Sequence, residues 1–348
     1  MQPFVIDPAH PLPAADLLGT VVTHEVRFAA GRLRKGQVID HDALALIANL
    51  DRPIHAVRLD PDDIHENEAG QRLAELAMGP GLAARQPVQS RVNVIATVKG
   101  LLRVDPDAVD LVNRHEPLGL FTVLDRLPVV PGKIVAGAKI GTVAMPESTI
   151  VAVEQLMAAR ERPILEVKPY LPHQVGVVVT EGLAENLRDR FERSVRQKIG
   201  WYGSEIVRFD YVTNDDAGVS GAITGLLGDG ASIILTAGGN MMDPLDATLV
   251  AMPEIGAEIV RLGAPAHPGS MFWLAKLPTT NTPIVNLASC SMYSKATVAD
   301  LVLPWIMAGE TVTPTDLASI GYGGLLDRDM GWRFPNYDHD TVDEPDES

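Results

Sequence analysis

The sequence predicts an α/β protein: a C-terminal three-layer domain on a mostly parallel sheet, preceded by an α+β region with segmented strands. Three observations lead there. The chain has 348 residues, and one hydrophobic core rarely grows past ~250–300 residues, so more than one domain is expected. From residue 171 onward, short apolar runs alternate with helical stripes, the pattern of βαβ units. Before that point strands and helices are short and alternate less regularly. The expected division is therefore 1–170, 171–328 and a tail at 329–348.

In the first region, Lys35-Gly36-Gln37-Val38-Ile39 reads as a strand leading into a helix over 42–47, with Asp42 at its start, where the helix dipole favours an acid. Asp62-Asp63 precede a second helix that carries Ala69, Leu73, Leu76 and Ala77 on one stripe and stops at Gly79-Pro80. The runs 92–98, 119–124 and 133–140 read as strands, with Pro131-Gly132 turning the chain before the last. Pro169-Tyr170-Leu171-Pro172 reads as a hinge.

The second region opens with Val175-Gly176-Val177-Val178-Val179-Thr180, a continuous apolar run suited to a parallel strand buried on both faces. Leu183, Leu187, Phe191, Val195 and Ile199 follow at four-residue steps, a helical stripe ending at Gly200. A second strand covers 206–211. Asp215-Asp216 then start a helix bearing Val219, Ile223, Leu226 and Leu227. Ser232-Ile233-Ile234-Leu235-Thr236 is a third strand. The stretches 271–276 and 284–287 read as a hairpin, and a last helix carries Val298, Leu301, Val302 and Trp305, with Ser294 as its cap.

Composition narrows the function. The net charge is −16, from 45 acids against 29 bases. That argues against a nucleic-acid binder, which needs a basic face. The single cysteine, Cys290, excludes an intramolecular disulfide and any multi-cysteine metal site. No apolar run reaches the ~18–20 residues of a membrane span. The first residues lack a basic segment followed by an apolar core, so no secretory signal and a cytoplasmic location are expected. The acids of the tail have little to bury, and disorder is expected there.

In doubly wound sheets ligands sit at the carboxyl ends of strands, so the loops after Thr180, Tyr211 and Thr236 are the places to look. Thr236-Ala237-Gly238-Gly239-Asn240 puts glycines just past a strand, where backbone can approach a ligand closely. Asp243, Pro244 and Asp246 follow, and Asn214-Asp215-Asp216 ends strand two; each acid is also an ordinary helix cap. Pro268-Gly269 lies before the hairpin. Ser294 and Lys295 precede the last helix, where amides, a hydroxyl and an ammonium favour an anion. His267 has no nucleophile at fixed spacing and reads as a rim residue, and Cys290 as a small buried hydrophobe.

In order and spacing, these features resemble the molybdopterin-binding domain of the molybdenum-cofactor biosynthesis family, which molybdopterin adenylyltransferase and molybdopterin molybdenumtransferase share. The match runs over residues 173–328 and rests on Thr236 to Asn240 through Asp246 and Thr248, on Asn214-Asp215-Asp216, on Pro268-Gly269 and on the segment 313–325. Two departures stand out. Asn240-Met241 replaces a glycine-containing pair, and Ala288-Ser289-Cys290-Ser291 replaces a Pro-Gly-Asn-Pro turn.

The resemblance implies molybdopterin as substrate or ligand, with Asp246 and Asp215 as catalytic candidates. Thr236, Gly238, Gly239, Asn240, Asp243, Pro268, Gly269, Ser294 and Lys295 are the binding candidates. Asp215 and Asp243 are candidate ligands for Mg²⁺, which would screen a phosphate from nearby carboxylates. ATP as a second substrate and a homo-oligomer are implied as well. Three activities follow: a transferase that adenylylates molybdopterin or inserts metal, a carrier or sensor with the same pocket, and a nucleotide-derivative hydrolase.

Overall fold

A computed structural model describes residues 1–88, 91–287 and 297–340. It is mixed α/β and divides into two compact units. One comprises Met1–Val98, Leu102–Asp125 and Pro131–Val167; the other comprises Lys99–Leu101, Arg126–Val130 and the chain from Lys168 onward. No helix among the described residues is long and apolar enough to cross a membrane.

The first unit contains a four-stranded antiparallel sheet in the order Leu118–Thr122, Ile134–Ile140, Arg91–Ala96, Leu82–Ala84. Alternation drives it, since Val92, Val94 and Ala96 are buried while Arg91 is exposed. The helix Glu66–Ala77 packs on the two central strands, burying Ala69, Leu73, Ala74 and Ala77. Leu76, expected on that stripe, is only half-buried, and Ala74 takes its place.

The helix starts at His65, whose Nδ1 accepts from the Asn67 amide at 3.2 Å, because Asp63–His65 is held in a short strand against Ala144–Pro146. The segment 35–39 is a turn around Gly36 with one bridge, Val21 to Val38, rather than a strand. The helix after it is His41–Ile47, capped by Asp40. The helix Glu147–Ala158 was not foreseen. Arg72 ties it down through Glu147 at 2.7 Å and Glu154 at 2.8 Å.

The second unit carries β1 (Gln174–Val179), α1 (Glu185–Trp201), β2 (Glu205–Tyr211), α2 (Asp216–Gly228), β3 (Ile233–Ala237), α3 (Ala247–Glu254), β4 (Glu258–Leu262), β5 (Trp273–Leu277), β6 (Thr282–Leu287), α4 (Val298–Met307) and α5 (Pro314–Ser319). Its six-stranded sheet runs β2-β1-β3-β6-β5-β4. The first four strands are parallel, and β5 and β4 close the sheet antiparallel.

Both faces are covered. Val175, Val177 and Val179 share a core with Phe191, Val195 and Ile199 of α1 and with α4. Val178 and Ile234 share another with Val219, Ile223 and Leu226 of α2 and with Met252 of α3. Alternate residues of β1 thus serve opposite faces, which is why the strand reads as a solid apolar run.

Three expectations shift here. Leu187 is 40% exposed, so the buried stripe of α1 begins at Phe191. The helix passes Gly200 and ends at Gly203, which adopts φ +75°. There Gly203 donates to the Gly200 carbonyl at 2.9 Å and Ser204 to that of Ile199 at 3.3 Å, the pairing of a Schellman cap. The cap of α4 is Thr297, not Ser294: the Asp300 carboxylate accepts from the Thr297 amide at 3.0 Å and its hydroxyl at 2.9 Å.

The tail expected to be disordered from 329 is ordered in its first part. Phe334 and Tyr337 are buried. The Tyr337 hydroxyl donates to Asp300 at 2.9 Å, beside the Lys198 ammonium at 2.7 Å, and Trp201 Nε1 donates to the His339 carbonyl at 3.3 Å. The acids dominate the composition there, but two aromatic rings in the run supply the apolar area that holds it.

Candidate functional site

The strand order reverses between β1 and β3: the chain moves from β1 to β2 on one side, then returns to place β3 on the other. A crevice forms at the carboxyl ends of strands at such a switch. Here the loop after β3 meets the end of β1. The Thr180 amide donates to the Ala237 carbonyl at 3.0 Å, extending the pairing one residue past β1.

The loop is built around two glycines and one carboxylate. Gly238 and Gly239 adopt φ +101° and +82°, a region other residues enter only with strain. Space excludes side chains as well. A Cβ on Gly238 would lie 2.6 Å from Thr180 Oγ1, and one on Gly239 would lie 2.7 Å from Asp246 Oδ1.

Asp246 caps α3 and is 5% exposed. Its Oδ1 accepts from the Thr248 amide at 3.0 Å and the Thr248 hydroxyl at 2.5 Å. Its Oδ2 accepts from the Asn240 amide at 2.7 Å. One buried carboxylate therefore pins both ends of the turn. Asn286 of β6 adds a second tie, with Nδ2 donating to Thr236 Oγ1 and to the Gly238 carbonyl, each at 3.3 Å.

The other expected residues fall as follows. Thr236 is fully buried inside β3, its Oγ1 accepting from Asn286 Nδ2. Asn240 turns its side chain back, Oδ1 accepting from the Met242 amide at 3.2 Å. Asp243 is exposed and accepts from the Leu245 amide at 2.9 Å. Asp215 caps α2, taking the Gly218 amide at 2.8 Å and the Thr213 hydroxyl; the hydroxyl first, then the amide, hold its carboxyl below the usual range.

Pro268-Gly269 abuts the start of α4: Val298 donates to the Pro268 carbonyl at 3.3 Å, and a Cβ on Gly269 would meet that same nitrogen at 2.9 Å. His267 is exposed, and its backbone is fastened to Gly324 and Leu326 at 2.8 Å each. Ser294, Lys295 and Cys290 lie outside the described residues.

Among the described residues no group of three or more His, Cys, Asp or Glu gathers as a metal site. Asp215 spends both oxygens and Asp243 one on their own turns, and this donor set does not present a built magnesium site. Thr180 and Asn286 were not expected as site residues, and Thr248 was expected only as part of the motif. Asn286 carried a signal, a lone amide inside the apolar run Ile284-Val285-Asn286-Leu287, in register with Thr236 on the neighbouring strand. Arg188, on α1, was also missed; its guanidinium stacks 3.9 Å from the Tyr211 ring at the carboxyl end of β2.

Fold and loop together define a doubly wound α/β unit with a glycine turn at its switch point. No family model matches the chain, and no curated protein matches it. Among solved structures it is similar to a protein described as a molybdenum cofactor biosynthesis protein from Corynebacterium diphtheriae, at 19% identity, over 41% of this chain and 100% of that one, with a TM-score of 0.31. It is also similar to a molybdopterin biosynthesis MoeA protein from Pyrococcus horikosii, at 13% identity, over 71% of this chain and 79% of that one, with a TM-score of 0.31. Both neighbours carry names from molybdenum-cofactor biosynthesis, and the likeness to each is remote.

Proposed function

We propose that this chain binds molybdopterin in molybdenum-cofactor biosynthesis and handles it for adenylylation or metal insertion. The observation that carries the reading is the Gly238-Gly239 turn at the switch point, cinched by Asp246, in a sequence whose motifs keep that family's order. Molybdopterin brings a phosphate and a pterin edge with two adjacent N–H donors. The glycines let the turn take positive φ angles at the strand ends, where backbone amides suit a phosphate. Lys295 and Ser294 are the further phosphate candidates.

A carboxylate offers about four acceptor directions. Asp246 uses three on its own loop, so its first role is to set the turn, with at most one direction left for a pterin N–H. The exposed carboxylates of Asp215 and Asp243 stand as the alternative pterin readers.

A second reading, a carrier that binds without turnover, draws on Asn240-Met241. These side chains occupy a stretch where the family has glycine, and Asn240 fills its own turn. Titration of the full chain with molybdopterin, then with ATP and Mg²⁺, tests both. Saturable pterin binding with adenylyl transfer supports the transferase, and binding without turnover supports the carrier. Nucleotide hydrolysis without pterin affinity, or no binding of either ligand, overturns the proposal.

A further inference from the structure

A cavity of about 280 Å³ opens at the opposite end of the same sheet, by the amino ends of β1, β3 and β6. His173, Ser232 and Thr282 mark those strand starts in its lining. Its walls differ in character. On one side lie Lys276 of β5 and the hydroxyl- and amide-bearing turn Thr280-Asn281-Thr282. Lys276 is half-buried and makes no ion pair among the described residues. Asn281 adopts φ +57°, its amide fixed to the Leu277 carbonyl at 2.7 Å, and the Thr280 and Thr282 hydroxyls lie 2.8 Å apart.

The other side is the end of α4. Helix ends usually expose carbonyls, but these are taken. Gly309 donates to the Ile306 carbonyl at 2.9 Å, Glu310 to that of Trp305 at 3.0 Å, and Leu171 to that of Met307 at 2.8 Å. The Glu310 carboxylate is itself paired with Lys168 at 3.0 Å. Beside Glu310 and Thr311 this wall presents an apolar strip, Ile306 and Val312, continued by Val260 and Leu274. Burial lowers the His173 imidazole from its ordinary value, with the Met307 carbonyl opposing, so the ring adds no cation at neutral pH.

We propose that this cavity binds a small monocarboxylate with a short apolar body. The Lys276 ammonium takes the carboxylate, the Thr280–Thr282 turn supplies further donors, and the body lies against Ile306 and Val312. The volume of about 280 Å³ falls just below the usual range of small-molecule pockets, ~300–1,000 Å³, which suits a ligand of few carbons rather than a nucleotide. The site lies at the other end of the sheet from the glycine turn, so the inference stands without the proposed function.

Titration of the full chain with hexanoate, read by thermal midpoint and ligand-observed NMR, tests it, with hexanamide as the uncharged match. Hexanoate is expected to saturate and raise the midpoint, while hexanamide binds about tenfold more weakly or worse, the worth of one charge-assisted hydrogen bond. Lys276→Gln should bring hexanoate down to the amide, and Thr280→Trp at the exposed rim should abolish binding. Asp246→Asn should leave hexanoate affinity unchanged. Absence of saturable binding, equal affinity for the two probes, or an unaltered Lys276→Gln variant would overturn the proposal.

Discussion

Asp246 shows how one side chain can look catalytic in a sequence and be structural in its contacts. Its carboxylate is buried and accepts three hydrogen bonds from the turn it closes. Asp246→Asn keeps the shape but turns one acceptor into a donor facing another donor. The expected cost is about 1–3 kcal/mol of stability, measured by denaturant unfolding, together with weaker pterin binding. A variant that keeps full stability yet loses binding would instead make Asp246 a direct ligand contact.

Gly239→Ala is a sharper probe of the same turn. It combines a positive φ with a Cβ 2.7 Å from Asp246 Oδ1. A loss of at least ~1 kcal/mol is expected from the backbone alone, read as a fall in melting temperature. Lys295→Ala should weaken binding of phosphorylated pterin more than of its dephosphorylated form, and equal losses would remove Lys295 from the phosphate role.

At the scale of elements, the parallel strands β1, β2, β3 and β6 were legible in the sequence, and helix ends were not. The solid apolar run of β1 announced a strand buried on both faces, and both cores are present. Gly200 looked like a stop because a glycine followed a stripe. Nothing local distinguishes it from Gly203, which alone takes the left-handed conformation that ends α1. Gly203→Ala should therefore cost about 1 kcal/mol, and Gly200→Ala should be neutral or stabilising; comparison of the two melting curves decides it.

The cap of α4 was misplaced for a related reason. By residue type Ser294 is a somewhat better cap than Thr297, and Asp300 three residues after Thr297 was the overlooked half of a capping box. The ties of Asp300 to Lys198 and Tyr337 span 102 and 37 residues, beyond the reach of any local pattern. In the candidate site the same divide holds. The glycine pair was visible, but the partners that shape it, Thr180 and Asn286, are brought there by sheet pairing rather than by spacing.

For the whole molecule, a linear division near residue 170 missed two short passages. Lys99–Leu101 and Arg126–Val130 belong with the second unit, where Gly100 and Leu101 pair with Val129 and Pro128 and Leu101 is fully buried in the main core. A fragment covering 168–348 lacks both. It should unfold at a lower temperature than the corresponding transition of the full chain, by scanning calorimetry, because an apolar side chain and its strand partner are gone. Identical midpoints would show that these passages contribute nothing to stability.

Those same passages set an order of events at the ribosome. Leu101 emerges well before most of the core it belongs to has been made, so the nascent chain carries an uncovered leucine through much of its synthesis. A cut or a single crossover near residue 170 leaves both passages of the second unit behind.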